Sequence, residues 1–310
     1  MKLDLKFKEN NQRLDLKFGQ YQDLTDGGYE RGLAEGQEIG YAEALDKRTD
    51  LVVTENGEYP PPEDSTGFKR VSVNVRDVKF NQYVKGTLTE VTAEDFQGIT
   101  QLREYSFRGV PSLKRVEFAE DLWNVGSNTF AACPKLETLD FSKCKKVRYL
   151  GHFSFQDCIS LREVTIPSTV ERFDTSVFQG CSSLSKVTFE ENELFNTIGM
   201  NALRDCVSLT EIKIPNNVKT IGVHAFRNCT SLTEITIPSV VSSISSYGFA
   251  DCTSLKLVKL KPKTPPSIQS KTFQNVPTDC VYMVDYGCGD VYRNATNWSA
   301  IANQIVEGDV

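Results

Sequence analysis

Histidine is the first shortage: the 310 residues hold 2. Imidazole is the commonest acid–base group and metal ligand, so its scarcity weighs against His-based metal centres and most proton-transfer chemistry. No G-x-S-x-G, G-x-x-x-x-G-K-[ST] or H-E-x-x-H string occurs, which removes the hydrolase-elbow, P-loop and zincin signatures. No window approaches the roughly 18 uninterrupted apolar residues of a membrane helix. The opening stretch, MKLDLKFKENNQRLDLKF, interleaves charge with apolar side chains and lacks the apolar block of a secretory signal. Excess positive charge is missing too. Lys+Arg 35 against Asp+Glu 41 leaves a net charge of −6, which argues against a general nucleic-acid binder. With 39% hydrophobic and 25% charged residues, the composition is that of a folded chain rather than a disordered one.

What is present is a repeat. Cys133, Cys158, Cys181, Cys206, Cys229 and Cys252 are spaced by 25, 23, 25, 23 and 23 residues. Three residues before each stands Phe130, Phe155, Phe178, Leu203, Phe226 or Phe249. Three residues after each stands Leu136, Leu161, Leu184, Leu209, Leu232 or Leu255. Phe107, Val110 and Leu113 form an earlier copy, and Phe273 with Val276 a late, degenerate one. After each Leu comes an alternating run such as Val164-Thr165-Ile166-Pro167 or Ile235-Thr236-Ile237-Pro238, which predicts a strand with one buried face, stopped by proline. Gly151, Gly199 and Gly222 follow a second apolar run, where a tight turn is expected. One such unit cannot close a core alone, so neighbours must stack into a solenoid.

The motif F-x-x-C-x-S-L-x-x-[IV]-x-[IF]-P, present as FRNCTSLTEITIP (226–238) and FQDCISLREVTIP (155–167), resembles the BspA-like (Treponema-type) leucine-rich repeat. The resemblance covers about residues 96 to 298. It implies a solenoid with a parallel sheet of short strands and a C-terminal cap, used in adhesion or protein recognition. It implies no catalytic residues and no cofactor. Within the cap, Val281–Val284 is expected as a strand and Val291-Tyr292 through Trp298 as a closing helix.

Stacking places equivalent residues side by side, so the six repeat cysteines are expected to form a buried structural ladder. No C-x-x-C pair offers thiolate spacing for a metal. Cys144, Cys280 and Cys288 fall outside the register, and a Cys280–Cys288 bridge stays open as an alternative to free thiols. His152 and His224 sit in comparable repeat slots and are expected as scaffold positions. Asn228, Asn294 and Asn297 begin formal glycosylation sequons, a pattern too short to carry weight alone.

The residue between the two apolar positions of each strand should face outward. That slot reads Glu117, Asp140, Thr165, Thr188, Lys213, Thr236 and Lys259, drifting from acidic through Thr to basic. Two positions earlier the row reads Arg115, Thr138, Glu163, Lys186, Glu211, Glu234 and Leu257. The first row is the candidate partner-binding face. A solvated sheet face with weak cross-strand charge pairs is the competing expectation.

Before residue 95 the repeat is absent. LDLKF occurs at 3–7 and 14–18 around a polar turn, which predicts a hairpin. Gly28, Gly32, Gly36 and Gly40 then recur four apart in a Glu- and Ala-rich segment. Each Gly costs a helix about 1 kcal/mol relative to Ala, so the segment is either an assembly helix with a close-packing stripe or a flexible spacer. Strands are expected at Leu51–Thr54 and Phe68–Val75, around an Asn56-Gly57 turn and the Pro60–Pro62 loop. Residues 1 to about 76 resemble N-terminal modules of tail and minor structural proteins of phages of gut Firmicutes.

The expected organisation is a tethering or oligomerising region (1–50), a small β module and linker (51–95), the leucine-rich-repeat solenoid (96–276) and a cap (277–310). The expected function is non-enzymatic recognition of a protein or glycan on a cell surface, with assembly through the N-terminal region and no nucleic-acid partner. A phage or prophage tail component, hence a virion location, is the leading setting. A bacterial cell-surface adhesin is the alternative.

Overall fold

The computed structural model describes residues 88–310, apart from Gln97 and Arg103, together with the backbone of three strands, Lys2–Phe7, Arg13–Lys17 and Leu51–Val52. The chain divides into two compact units, Met1–Leu88 and Thr89–Val310. In the first, Lys2–Phe7 pairs antiparallel with Arg13–Lys17, Leu3 opposite Leu16 and Leu5 opposite Leu14. This is the hairpin expected from the doubled LDLKF. Leu51–Val52 pairs with the end of Lys2–Phe7. The Gly28, Gly32, Gly36 and Gly40 stripe, the Asn56-Gly57 turn and the Phe68–Val75 strand lie outside the described residues.

The second unit is a solenoid whose turns, up to the cap, contribute one strand to a first face and one to a second, with all strands parallel. Strands of two to four residues, Glu90–Val91, Arg115–Glu117, Thr138–Asp140, Glu163–Ile166, Lys186–Phe189 and Glu211–Ile212, form one ladder, called the long-strand ladder below. Eight two-residue strands, from Gln101–Leu102 to Ser267–Ile268, form the other. Alternation explains the first set: along Glu163–Ile166 exposed and buried residues alternate strictly, so Val164 and Ile166 enter the core while Glu163 and Thr165 face out. The ladder already includes Glu90–Val91, ahead of residue 96.

A third side closes each turn without strands. Here the N–H groups of one turn donate to carbonyls of the next: Phe130 to Ser154 at 2.8 Å, Phe155 to Val177 at 3.0 Å, Phe226 to Gly248 at 2.8 Å. Residues at φ near +60° flank each bond, among them Asn128, Asp157, Asp205, Asn228 and Asp251. Asn and Asp tolerate this left-handed region better than most side chains, which accounts for their place just before Cys158, Cys206, Cys229 and Cys252; Ala132 and Gly180 hold the same conformation before Cys133 and Cys181.

The core between the three sides is columnar. Phe107, Phe130, Phe155 and Phe178 stack with centroids 5.1, 5.7 and 5.4 Å apart, and Phe226, Phe249 and Phe273 continue at 5.0 and 5.6 Å. Such ring pairs add about 0.5–1.5 kcal/mol each beyond area burial. Leu203 separates the two stacks. All six ladder cysteines are fully buried, and all nine cysteines are free thiols. Each ladder thiol donates to the carbonyl three residues before the Cys slot of the preceding turn, for example Cys181 Sγ to Phe155 O at 3.1 Å and Cys252 Sγ to Phe226 O at 3.1 Å. That carbonyl also accepts an N–H from its own turn, as Phe155 O does from Cys158 at 3.4 Å. The thiol therefore fills a small apolar site and occupies a second lone pair. Cys144, out of register by spacing, uses the same device on Leu122 O at 3.3 Å.

Gly151, Gly199 and Gly222 open tight turns as expected, Ser154 N–H donating to Gly151 O at 3.2 Å and Ala225 N–H to Gly222 O at 3.2 Å, and they also let adjacent turns approach. A Cβ on Gly151 would lie 2.7 Å from Ser127 N, and one on Gly222 2.7 Å from the carbonyl carbon of Gly199. The cap is not one helix from Val291 to Trp298. It is a short helix, Gly289–Arg293, a 3₁₀ segment, Trp298–Gln304, and a further strand, Ile305–Glu307, which pairs parallel with Val281–Val284. Trp298 Nε1–H to Pro266 O (2.8 Å) and Tyr292 O–H to Pro262 O (2.7 Å) fasten the cap to the last turns.

The long-strand ladder is also interrupted once. Glu211–Ile212 ends the first sheet, and Glu234–Ile237 begins a separate one with Leu257–Leu260, Val281–Val284 and Ile305–Glu307. The short-strand sheet runs on past this point, pairing Thr220–Ile221 with Ser243–Ile244.

Candidate recognition face

The outward rows of the long strands fall into three zones. At the N-terminal end the charges are already taken. Arg115 bridges Glu90 at 2.8 Å and Asp140 at 2.9 Å, and lies 3.9 Å from Glu117. Glu117 is 8% exposed and bonded to Lys143 at 2.6 Å. Asp140 also accepts the Ser142 N–H at 3.0 Å. Hydrogen bonding by Ser142, then the Arg115 charge, holds its carboxyl below the usual range. At this end both row residues, Glu117 and Asp140, are therefore engaged with their own neighbours.

In the centre the rows stand open. Thr165 and Thr188 are directly paired in register, as are Glu163 with Lys186 and Lys186 with Glu211. All five are exposed. Lys213 is exposed as well, one residue past the end of its strand, at the interruption of the ladder. Thr236, in the first strand of the next sheet, is half-buried. Parallel strands set these rows about 4.8 Å apart, giving a flat field of carboxylates, ammoniums and hydroxyls.

Toward the C-terminus the rows turn apolar. Lys259 is half-buried and ties back to Glu234 at 2.6 Å. Beside it, Leu257 pairs in register with Val281, and Lys259 with Met283, which in turn pairs with Val306. Leu257 is legible in the sequence rows. Val281–Val284 is the expected strand, but with the F-x-x-C register faded there nothing joins Val281 and Met283 to the outward rows, and Ile305–Glu307, with Val306, carries no repeat signal.

Neither histidine joins this face. His152 accepts the Thr175 N–H on Nδ1 at 3.1 Å, and His224 meets the Tyr247 ring edge-on at 4.9 Å. Burial, then the Arg227 and Arg204 charges, pulls His224 below the ordinary imidazole value. Among the described residues no group of His, Cys, Asp and Glu could hold a metal ion, and no helix is long and apolar enough to cross a membrane.

A family model described as BspA type leucine rich repeat region matches in six copies, over residues 76–196 and 196–279. No curated protein matches the chain. Among solved structures, the leucine-rich-repeat protein of T. pallidum is 23% identical, with 52% of this chain and 65% of that one covered and a TM-score of 0.38. The chain thus spans about two thirds of that protein's length, 65%. A leucine-rich cell surface protein of Faecalibacterium prausnitzii is 15% identical over 72% of this chain and 87% of that one, with a TM-score of 0.39. A leucine-rich-repeat protein of Bacteroides ovatus is 18% identical over 80% and 91%, with a TM-score of 0.36.

Proposed function

Given that the chain belongs to the BspA-type leucine-rich-repeat family, we propose that it is a non-enzymatic recognition protein that binds a protein on a cell surface. Its contact surface is the outward face of the long strands. The observation that carries this is the open central zone: Glu163, Lys186 and Glu211, and Thr165 with Thr188, stand exposed in register, with Lys213 exposed just past its strand, while the flanking zone at Arg115 has spent its charges internally. A rigid field of fixed charges discriminates partners chiefly by complementarity, rejecting like charge at each position. A protein surface can answer such a field with alternating charges; these rows offer no aromatic ring on which a sugar would stack. The narrower form of the reading, a phage or prophage tail component, draws its support from the sequence resemblance of residues 1–76. A bacterial surface adhesin uses the same face.

The test is binding of the fluorescently labelled full chain to intact bacterial cells. A variant carrying Thr188→Arg, Lys213→Glu and Thr236→Arg is expected to lose about tenfold or more in apparent affinity, with an unchanged melting temperature. Binding that survives all three changes places the contact elsewhere.

A further inference from the structure

The sheet of two-residue strands carries a second surface of different composition. Trp123, Arg148 and Glu171 are successive rungs: Arg148 N–H donates to Trp123 O at 2.9 Å and Glu171 N–H to Arg148 O at 3.2 Å. Beside them Asn124, Tyr149 and Arg172 stand in register. Trp123 is 40% exposed. Its ring meets that of Tyr149 at 83°, with centroids 6.1 Å apart, so two aromatic walls form a corner. The Arg172 guanidinium lies 5.7 Å over the Tyr149 ring.

The local cations are already matched. Arg172 bonds Asp174 at 2.8 Å, Lys146 bonds Asp121 at 2.6 Å, and Arg148 faces Glu171 at 3.7 Å. A charged ligand would have to displace an ion pair for each charge it brought, whereas an uncharged one would not. What remains for recognition is a π face and planar hydrogen-bonding groups: the Asn124 amide, two guanidiniums and a carboxylate. The C–H face of a pyranose packs on the electron-rich face of an aromatic ring, and its neighbouring hydroxyls match forked donors and acceptors.

We propose that Trp123 and Tyr149, with Arg148, Glu171 and Arg172, form a binding site for an uncharged saccharide on the short-strand sheet. The site lies on a different sheet from the Thr188–Lys213 face and is independent of the protein-binding reading.

The chain supplies its own probe. Its tryptophans number 2, and Trp298 is 1% exposed with its N–H bonded to Pro266 O at 2.8 Å. Quencher-accessible emission therefore reports Trp123. The full chain is titrated with chitotriose, mannotriose and cellotriose, and with poly-glutamate and poly-lysine as charged arms. At least one neutral trisaccharide is expected to shift the emission saturably and to protect it from acrylamide. Tyr149→Ala, and separately the surface change Arg148→Ala, should weaken that response about tenfold at unchanged melting temperature. Lys213→Glu should leave it alone. No response to any neutral trisaccharide up to about 10 mM, a response to a polyelectrolyte only, or full response in both variants overturns the site.

Discussion

Burial raises the ladder thiols, Cys133 and Cys252 to about 12, with the remaining four pushed up by the same desolvation. Reaction with a disulfide reagent needs both thiolate and access, and the ladder offers neither. Raising the pH from neutrality to about 9 still leaves Cys133 and Cys252 protonated. In the native chain only Cys288, half-buried in the cap, is expected to react, while unfolding should release the remaining eight; labelling at mass-spectrometric resolution distinguishes the two patterns. Two glycine classes give a second residue-scale outcome. A Cβ on Gly199 would run into the carbonyl oxygens of Phe173 and Asp174, and neither can yield without parting two turns. Gly199→Ala should therefore cost about 2 kcal/mol or more, as overpacking does. At Gly109 (φ +71°) nothing lies within 4 Å, so Gly109→Ala should cost only the left-handed penalty of about 1 kcal/mol. Thermal melts of the two variants check the order. The F-x-x-C column was legible because periodicity alone reveals it. The reason for sulfur was not, since the carbonyl that each thiol meets belongs to the preceding turn, 26 to 28 residues away.

Between Glu211–Ile212 and Glu234–Ile237 one sheet stops and another starts, while the short-strand sheet continues. The parallel register puts the amides of Glu234 and Thr236 toward this seam, where no strand pairs with them. The corresponding amides of Lys186 and Thr188 belong to a strand paired on both sides. Hydrogen exchange at Glu234 and Thr236 should accordingly be about tenfold or more faster, measured by NMR or fragment-resolved mass spectrometry. Equal protection would mean the seam is closed in solution. Alternation of β-branched residues made the strands readable. It could not reveal the seam, because I-K-I-P at 212–215 and I-T-I-P at 235–238 carry the same pattern. The cap strand Ile305–Glu307 was equally hidden: three residues are too few to show a period, and only its pairing with Val281–Val284 defines it.

For the molecule as a whole, the sequence was enough to number the outward rows, since stacked repeats of fixed length place equivalent residues in line. It was not enough to say which charges are free. Arg115 reaches Glu90 and Asp140, both 25 residues away, so the quiet end of the face is a product of turns meeting in space. The Trp123–Tyr149 corner was hidden for the same reason, its rings lying one turn apart. These cross-turn contacts divide the surface into a self-paired end, an open ionic centre and an apolar end, and the proposed recognition surface is the centre. A photo-crosslinking residue at Thr188, compared with one at Thr220 on the short-strand sheet, tests that assignment most directly on intact cells. The expected result is a discrete protein adduct from Thr188, suppressed by excess unlabelled chain, and none from Thr220. Equal adducts from both positions, or none from Thr188 under conditions where the chain binds, would contradict it.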